Sequence, residues 1–172
     1  MEPQIAPLHA ILALNTDLLL NCLEGLSEED ALRQLDGGGN TIAFLAAHLT
    51  DTRHFLVDRL GHPLANPLSR YLAEARSIED IVEWPTLAEL REWWLDVSRH
   101  LGEVLTRRTA EQLTRLNVHR FPLGDSSELG LIAFLVQHDS YHVGQMGFIR
   151  RQLGKPAMAY TRGAAGRFAG AG

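Results

Sequence analysis

Cysteine is all but missing from this chain: Cys22 is the single one among 172 residues. An internal disulfide is therefore excluded, and the neighbours Leu18, Leu19, Leu23 and Leu26 mark Cys22 as a small buried hydrophobe rather than a reactive thiol. Surplus positive charge is missing as well. Sixteen basic residues against 21 acidic ones leave a formal charge of -5 with the two signs interspersed. No basic face is left for a nucleic-acid backbone and no polybasic run for an anionic membrane, so neither partner is expected. No apolar run approaches the roughly 20 residues that span a bilayer. The opening Met1-Glu2-Pro3-Gln4-Ile5 lacks a basic stretch followed by an apolar core, so a cytoplasmic protein is expected. Strand-like alternation, internal repeats and a nucleotide-binding glycine loop are absent too.

What the chain does have is helical periodicity. A hydrophobic fraction of 45% over this length suits one domain, 1–172, with a sizeable core. Leu8, Ile11, Leu12, Leu19, Cys22, Leu23 and Leu26 recur at three- and four-residue intervals, which predicts a first helix over 8–26 with one buried stripe. Ser27-Glu28-Glu29-Asp30 offers a cap and an acidic first turn, so a turn or two of helix is expected before Gly37-Gly38-Gly39 breaks the chain. Thr41 caps a second helix, 41–60, closed by Gly61 and Pro63. Its core seam is Ile42, Leu45, Leu49, Leu56 and Leu60, while Phe44, His48, Asp51 and Phe55 share an adjacent face.

Residues 62–85 form a long connection with prolines at 63, 67 and 85 and a helical turn expected over Tyr71–Ala75. A connection of this length can return the next helix parallel to the last. Thr86 and Glu89 start the third helix, 87–108, in which Leu87, Leu90, Trp94, Val97, Leu101 and Val104 alternate intervals of three and four. Its charges, Glu89, Arg91, Glu92, Asp96, Arg99 and Glu103, read as a solvated surface. Asp125-Ser126-Ser127-Glu128 reads as a capping box for the fourth helix, 127–153, which Gly154 and Pro156 end. Four amphipathic helices with one seam each predict an all-α four-helix bundle with a long connection between the second and third.

The chemistry concentrates on the fourth helix. His138 and His142, four residues apart, stack one turn above the other, and two imidazoles so placed can grip one metal ion. Spacing alone is weak, since eight histidines in 172 residues give such a pair by chance about one time in three. His48, near the middle of the second helix, is the candidate third ligand because it lies at comparable depth. Hydrogen-bonded core histidines are the bland alternative for all three. Asp51, three residues after His48, reads as a carboxylate that orients a ligand imidazole, as a base, or as a plain surface acid. Gln145 can bond a ligand or a substrate, or serve as a structural amide. Gly144 is expected to let a facing helix approach closely. His9, His54, His62 and His100 are expected to be exposed, and His119 lies in a loop that can reach the bundle mouth.

His48-Leu49-Thr50-Asp51 on one helix and His138-Asp139-Ser140-Tyr141-His142-Val143-Gly144-Gln145 on a later one resemble the DinB/YfiT-like family of metal-dependent enzymes. The resemblance extends to helix order, the long middle connection and the ending Arg150-Arg151-Gln152-Leu153-Gly154. It implies a bundle of up-down-down-up order in which His138, His142 and His48 bind a divalent transition metal, zinc or nickel. Three protein ligands leave a position open, the arrangement of a catalytic metal. Some members of the family are thiol transferases that use bacillithiol, and related members use mycothiol, so the resemblance implies a small-molecule thiol and an electrophile as substrates. In that reading Asp51 and Gln145 assist the chemistry and the protein is a homodimer. A metal-dependent hydrolase, or a non-catalytic metal-binding module, would carry the same residues.

Overall fold

Caps and apolar stripes set the helix boundaries in the computed structural model, which describes residues 1–36, 38–72, 80–117 and 122–160. Helix α1 spans Ala6–Leu23, α2 Glu28–Leu32, α3 Ile42–Arg59, α4 Ser69–Leu72, α5 Leu87–Thr106, α6 Ala110–Leu113 and α7 Glu128–Gln152, with no strand among the described residues. Ser27 accepts a hydrogen bond from the Asp30 amide while the Asp30 carboxylate accepts one from the Ser27 amide, a reciprocal cap that starts α2. Thr86 and Glu89 do the same for α5. Thr41 caps α3 by accepting from the Phe44 amide. At α7 the expected capping box is a single cap: Ser127 accepts from the Gly130 amide, and Glu128 pairs with Arg108 instead of reaching back. Gly61 and Gly154, with φ of 79° and 74°, take the left-handed conformation that ends α3 and α7. The helical turn in the long connection is Ser69–Leu72, and the rest of the expected 71–75 turn lies outside the described residues.

The four long helices share one interior. Helix α1 packs on α5 and α7, and α3 packs on the same two. The expected α5 seam is entirely buried, as are Ile42, Leu45, Leu49 and Leu56 of α3 and Leu60 at its C-cap. In α1 the buried line runs through Leu12, Leu19 and Leu23, and Ile11, off that line, is exposed, contrary to the expected stripe. Arg91 of α5 is not simply solvated, because its guanidinium donates to the Leu23 carbonyl at the end of α1. By length and composition α1 is also the one described helix apolar enough to cross a membrane, which the sequence reading did not anticipate. In the fold it is a core helix, burying Leu12, Leu18, Leu19 and Leu23 together with the polar Asn15, Thr16 and Asp17.

Those buried polar residues mark a division of the core. One apolar cluster gathers Leu18, Leu19 and Leu23 of α1, Ile42, Leu45 and Leu49 of α3, Leu87, Leu90 and Trp94 of α5, and Val143, Met146 and Ile149 of α7. The other gathers Ile5 and Leu12, Leu56, Val57 and Leu60, Val97, Leu101, Val104 and Leu105 of α5, and Leu131, Ile132, Leu135 and Val136 of α7. Between them lies a polar layer centred on Arg53, whose side chain is 2% exposed. Its Nε and Nη2 donate to one Asp139 carboxylate oxygen at 2.9 and 2.8 Å. Nη1 donates to the hydroxyls of Thr16 at 2.7 Å and Ser98 at 2.5 Å, and Nη2 also donates to the Leu12 carbonyl at 3.1 Å. The guanidinium lies 3.7 Å from the Trp94 ring centroid. One side chain thereby joins all four long helices, and its donors are satisfied as a buried cation requires.

Candidate metal centre

Helices α3 and α7 pack against each other, and the half-buried His48, His138 and His142 meet along their seam beside the polar layer. Their ligand atoms all lie within 4.8 Å of one another. Nε2 of His138 stands 3.2 Å from Nε2 of His48 and 3.1 Å from Nε2 of His142. Three nitrogens bound to one ion at about 2.0–2.1 Å lie roughly 3.0–3.4 Å apart, so the observed spacings fit a common cation.

Tautomers support the same conclusion. The Gln145 side-chain oxygen lies 2.6 Å from Nδ1 of His142; an amide oxygen only accepts, so that nitrogen carries the proton and Nε2 presents a lone pair. Nε2 of His138 then faces two imidazole nitrogens, and in neutral rings a hydrogen can bridge only one of the two contacts. The other contact is left without a hydrogen bond, whereas a cation at the centre satisfies all three nitrogens at once. Burial pushes the His138 imidazole down to about 4, with His142 and His48 adding repulsion. It lowers His48 as well, and there His142 adds to the effect while Asp51 opposes it. Both shifts favour the neutral, metal-binding form of the ring.

The surroundings hold the rings in place. Phe44 stacks on His48 with centroids 5.9 Å apart, and Tyr141 lies edge-on to His142 at 5.1 Å. The Gln145 amide nitrogen donates to the Tyr141 hydroxyl at 3.3 Å, which fixes its oxygen toward His142. Asp51 accepts from Asn66 at 2.6 Å, so the long connection after α3 tethers the carboxylate near His48.

Three expectations fail here. His54 is buried, 5% exposed, with the Leu64 backbone of the long connection bonded to it and Asp96 and His100 of α5 close by. Gly144 permits no close helix approach: a Cβ added there would meet nothing within 4 Å. His9 and His100 are half-buried; of the four, only His62 is exposed as expected. His119 lies outside the described residues. The sequence reading also missed Arg53 and Asp139. The signal was present, since Arg53 interrupts the seam between Leu49 and Leu56, and Asp139 interrupts the one between Leu135 and Val143. Opposite charges in two core seams are a buried pair in waiting.

An all-helical fold that brings three imidazole nitrogens from two helices to one point defines a helical protein able to hold a divalent metal ion. The chain belongs to the DinB superfamily, whose family model matches residues 11–146, a span that contains all three histidines and Gln145. No curated protein matches the chain.

Proposed function

We propose that this protein is a metal-dependent transferase of a low-molecular-weight thiol of the bacillithiol type. The observation that carries the reading is the convergence of three Nε2 atoms from half-buried rings, since three protein ligands leave a coordination position for a reactant. A divalent ion held there, zinc or nickel, supplies Lewis acidity that favours the deprotonated form of a thiol reaching it. The chain does the rest. His48, His138 and His142 fix the position, Gln145 holds the tautomer of His142, and the Asp51 carboxylate, tethered by Asn66, is the candidate acceptor of the thiol proton. The sulfur electron pair forms an S–C bond to the electrophile while the bond from that carbon to its leaving group breaks. The products are a thioether and the protonated leaving group, and no oxidant is needed.

The reading includes a four-helix bundle of up-down-down-up order. Supporting it, Gly102 of α5 lies beside His9 and Arg91 beside Leu23, so the start of α1 meets the end of α5. Asn15 bonds Ser140 and Cys22 approaches Val143, a sequence of contacts that runs the same way along α1 and α7. A homodimer in the cytoplasm completes the proposal, and sedimentation at micromolar concentration tests the dimer.

The deciding experiment is a conjugation screen in which bacillithiol, mycothiol and glutathione are offered with a monohalobimane before metal removal, after it and after restoration. Thiol-dependent, metal-dependent conjugation is expected. Ester or amide hydrolysis without added thiol would instead make the protein a hydrolase, and metal binding without turnover would make it a binding module.

A further inference from the structure

A groove of about 460 Å³ opens along α7. Its walls are Leu45 of α3 and Ile149, Phe148 and Tyr141 of α7, and the Gln145 amide and Asn40 supply its polar points. The volume falls in the range of roughly 300–1,000 Å³ typical of small-molecule sites. Gln145 and Tyr141 belong both to this groove and to the shell around His142, and Leu45 lies one helical turn from His48. The groove and the three-histidine site therefore adjoin through Gln145 and Tyr141.

Three features say what it takes. Among the described residues that line it, none carries a charge. Phe148 and Tyr141 are large rings left 60% and 57% exposed along it. Exposed aromatic surface beside a reaction centre is the surface a planar apolar ligand covers. Gly144 is the third feature. Glycine inside a helix weakens it relative to alanine, and here no neighbouring atom demands the missing side chain, since a Cβ would point into open space. What the glycine preserves is the groove itself, which it lines between Tyr141 and Phe148.

We infer that this groove seats an uncharged apolar or aromatic portion of the electrophile, with Gly144, Tyr141 and Phe148 setting which electrophiles fit. The assignment of the occupant as the electrophile rests on the proposed transferase reading, whereas the groove's preference for an uncharged apolar ring does not. The test is a fluorescence titration of metal-loaded protein with N-phenyl-1-naphthylamine, an uncharged aromatic probe, and with its sulfonated relative 8-anilinonaphthalene-1-sulfonate. The uncharged dye is expected to bind more tightly, and Gly144→Leu, which fills the groove, to weaken it by about tenfold or more with metal content unchanged. Should Gly144→Leu fail to fold, Phe148→Ser, a change at an exposed position, is expected to weaken the dye as well. Unchanged dye affinity in the folded variants, or equal affinity for the sulfonated dye, overturns the inference. Because the readout needs no turnover, that failure is separate from failure of the transferase reading, which would appear as normal dye binding in a protein that conjugates no thiol.

Discussion

The amide oxygen of Gln145 lies 2.6 Å from Nδ1 of His142, one turn further along α7. That contact decides which nitrogen of His142 faces His48 and His138, and it ties the ring's orientation to the helix that carries it. Gln145→Ala is therefore expected to weaken metal binding by about 10–100-fold, the usual cost of removing a group that orients a ligand imidazole. Gln145→Glu keeps an acceptor oxygen and is expected to restore most of the affinity. A chelator-competition titration measures both, and equal affinities in wild type and Gln145→Ala would contradict the assigned role.

Asp51 is expected to separate chemistry from metal binding. Asp51→Asn keeps the side-chain shape and an oxygen that can still accept from Asn66, but removes the base. Metal stoichiometry should hold while turnover falls by about 100-fold or more, the contribution of a positioned general base. Undiminished conjugation would assign the proton to another acceptor.

The Arg53–Asp139 pair makes a prediction about stability. Both side chains are 2% exposed, and Arg53→Met strands the carboxylate in the interior, so denaturant unfolding at pH 7 should show a loss of about 3–5 kcal/mol. Thr16 and Ser98 keep partners in the variant, since their hydroxyls already donate to the Leu12 and Trp94 carbonyls. Adding Asp139→Leu should recover much of the loss, because an apolar pair leaves no buried charge.

The same pair fixes the sign of a pH effect. In the wild type, burial pushes the Asp139 carboxyl up while Arg53 pulls it back. In Arg53→Met burial acts without that opposition, and the folded-state pKa stands further above the unfolded value of about 3.9. An acid raised on folding contributes stability below its unfolded pKa and loses it as pH rises through the folded pKa. The deficit of Arg53→Met against wild type should accordingly shrink as pH is lowered from 7 toward 5. A deficit that grows on acidification would mean Asp139 is not the group left unpaired.

The bundle was legible because its seams are regular. Leu87, Leu90, Trp94, Val97, Leu101 and Val104 are all buried, and Thr86 with Glu89 starts α5 where the caps require. The three histidines were legible for a different reason, since His138 and His142 share a helical face and His48 sits at matching depth on another helix. What escaped were features that periodicity treats as exceptions. Arg53 and Asp139 occupy core positions with residues that ordinarily face water, and only a partner on another helix makes that tolerable. Gly144 misled because glycine in a helix suggests close packing, whereas this one borders open space. His54 misled because it lies off the main seam of α3, where the connection at Leu64 and α5 at Asp96 and His100 cover it.

The central claim is that His48, His138 and His142 hold one divalent ion between α3 and α7, and metal stoichiometry tests it most directly. Purified protein, stripped with chelator, reloaded and analysed for bound zinc and nickel, should hold about one ion per chain, and single replacements of His138 or His142 by Ala should lower affinity by about 100-fold or more. Full metal retention in both variants, or no binding by the wild type, would contradict the account.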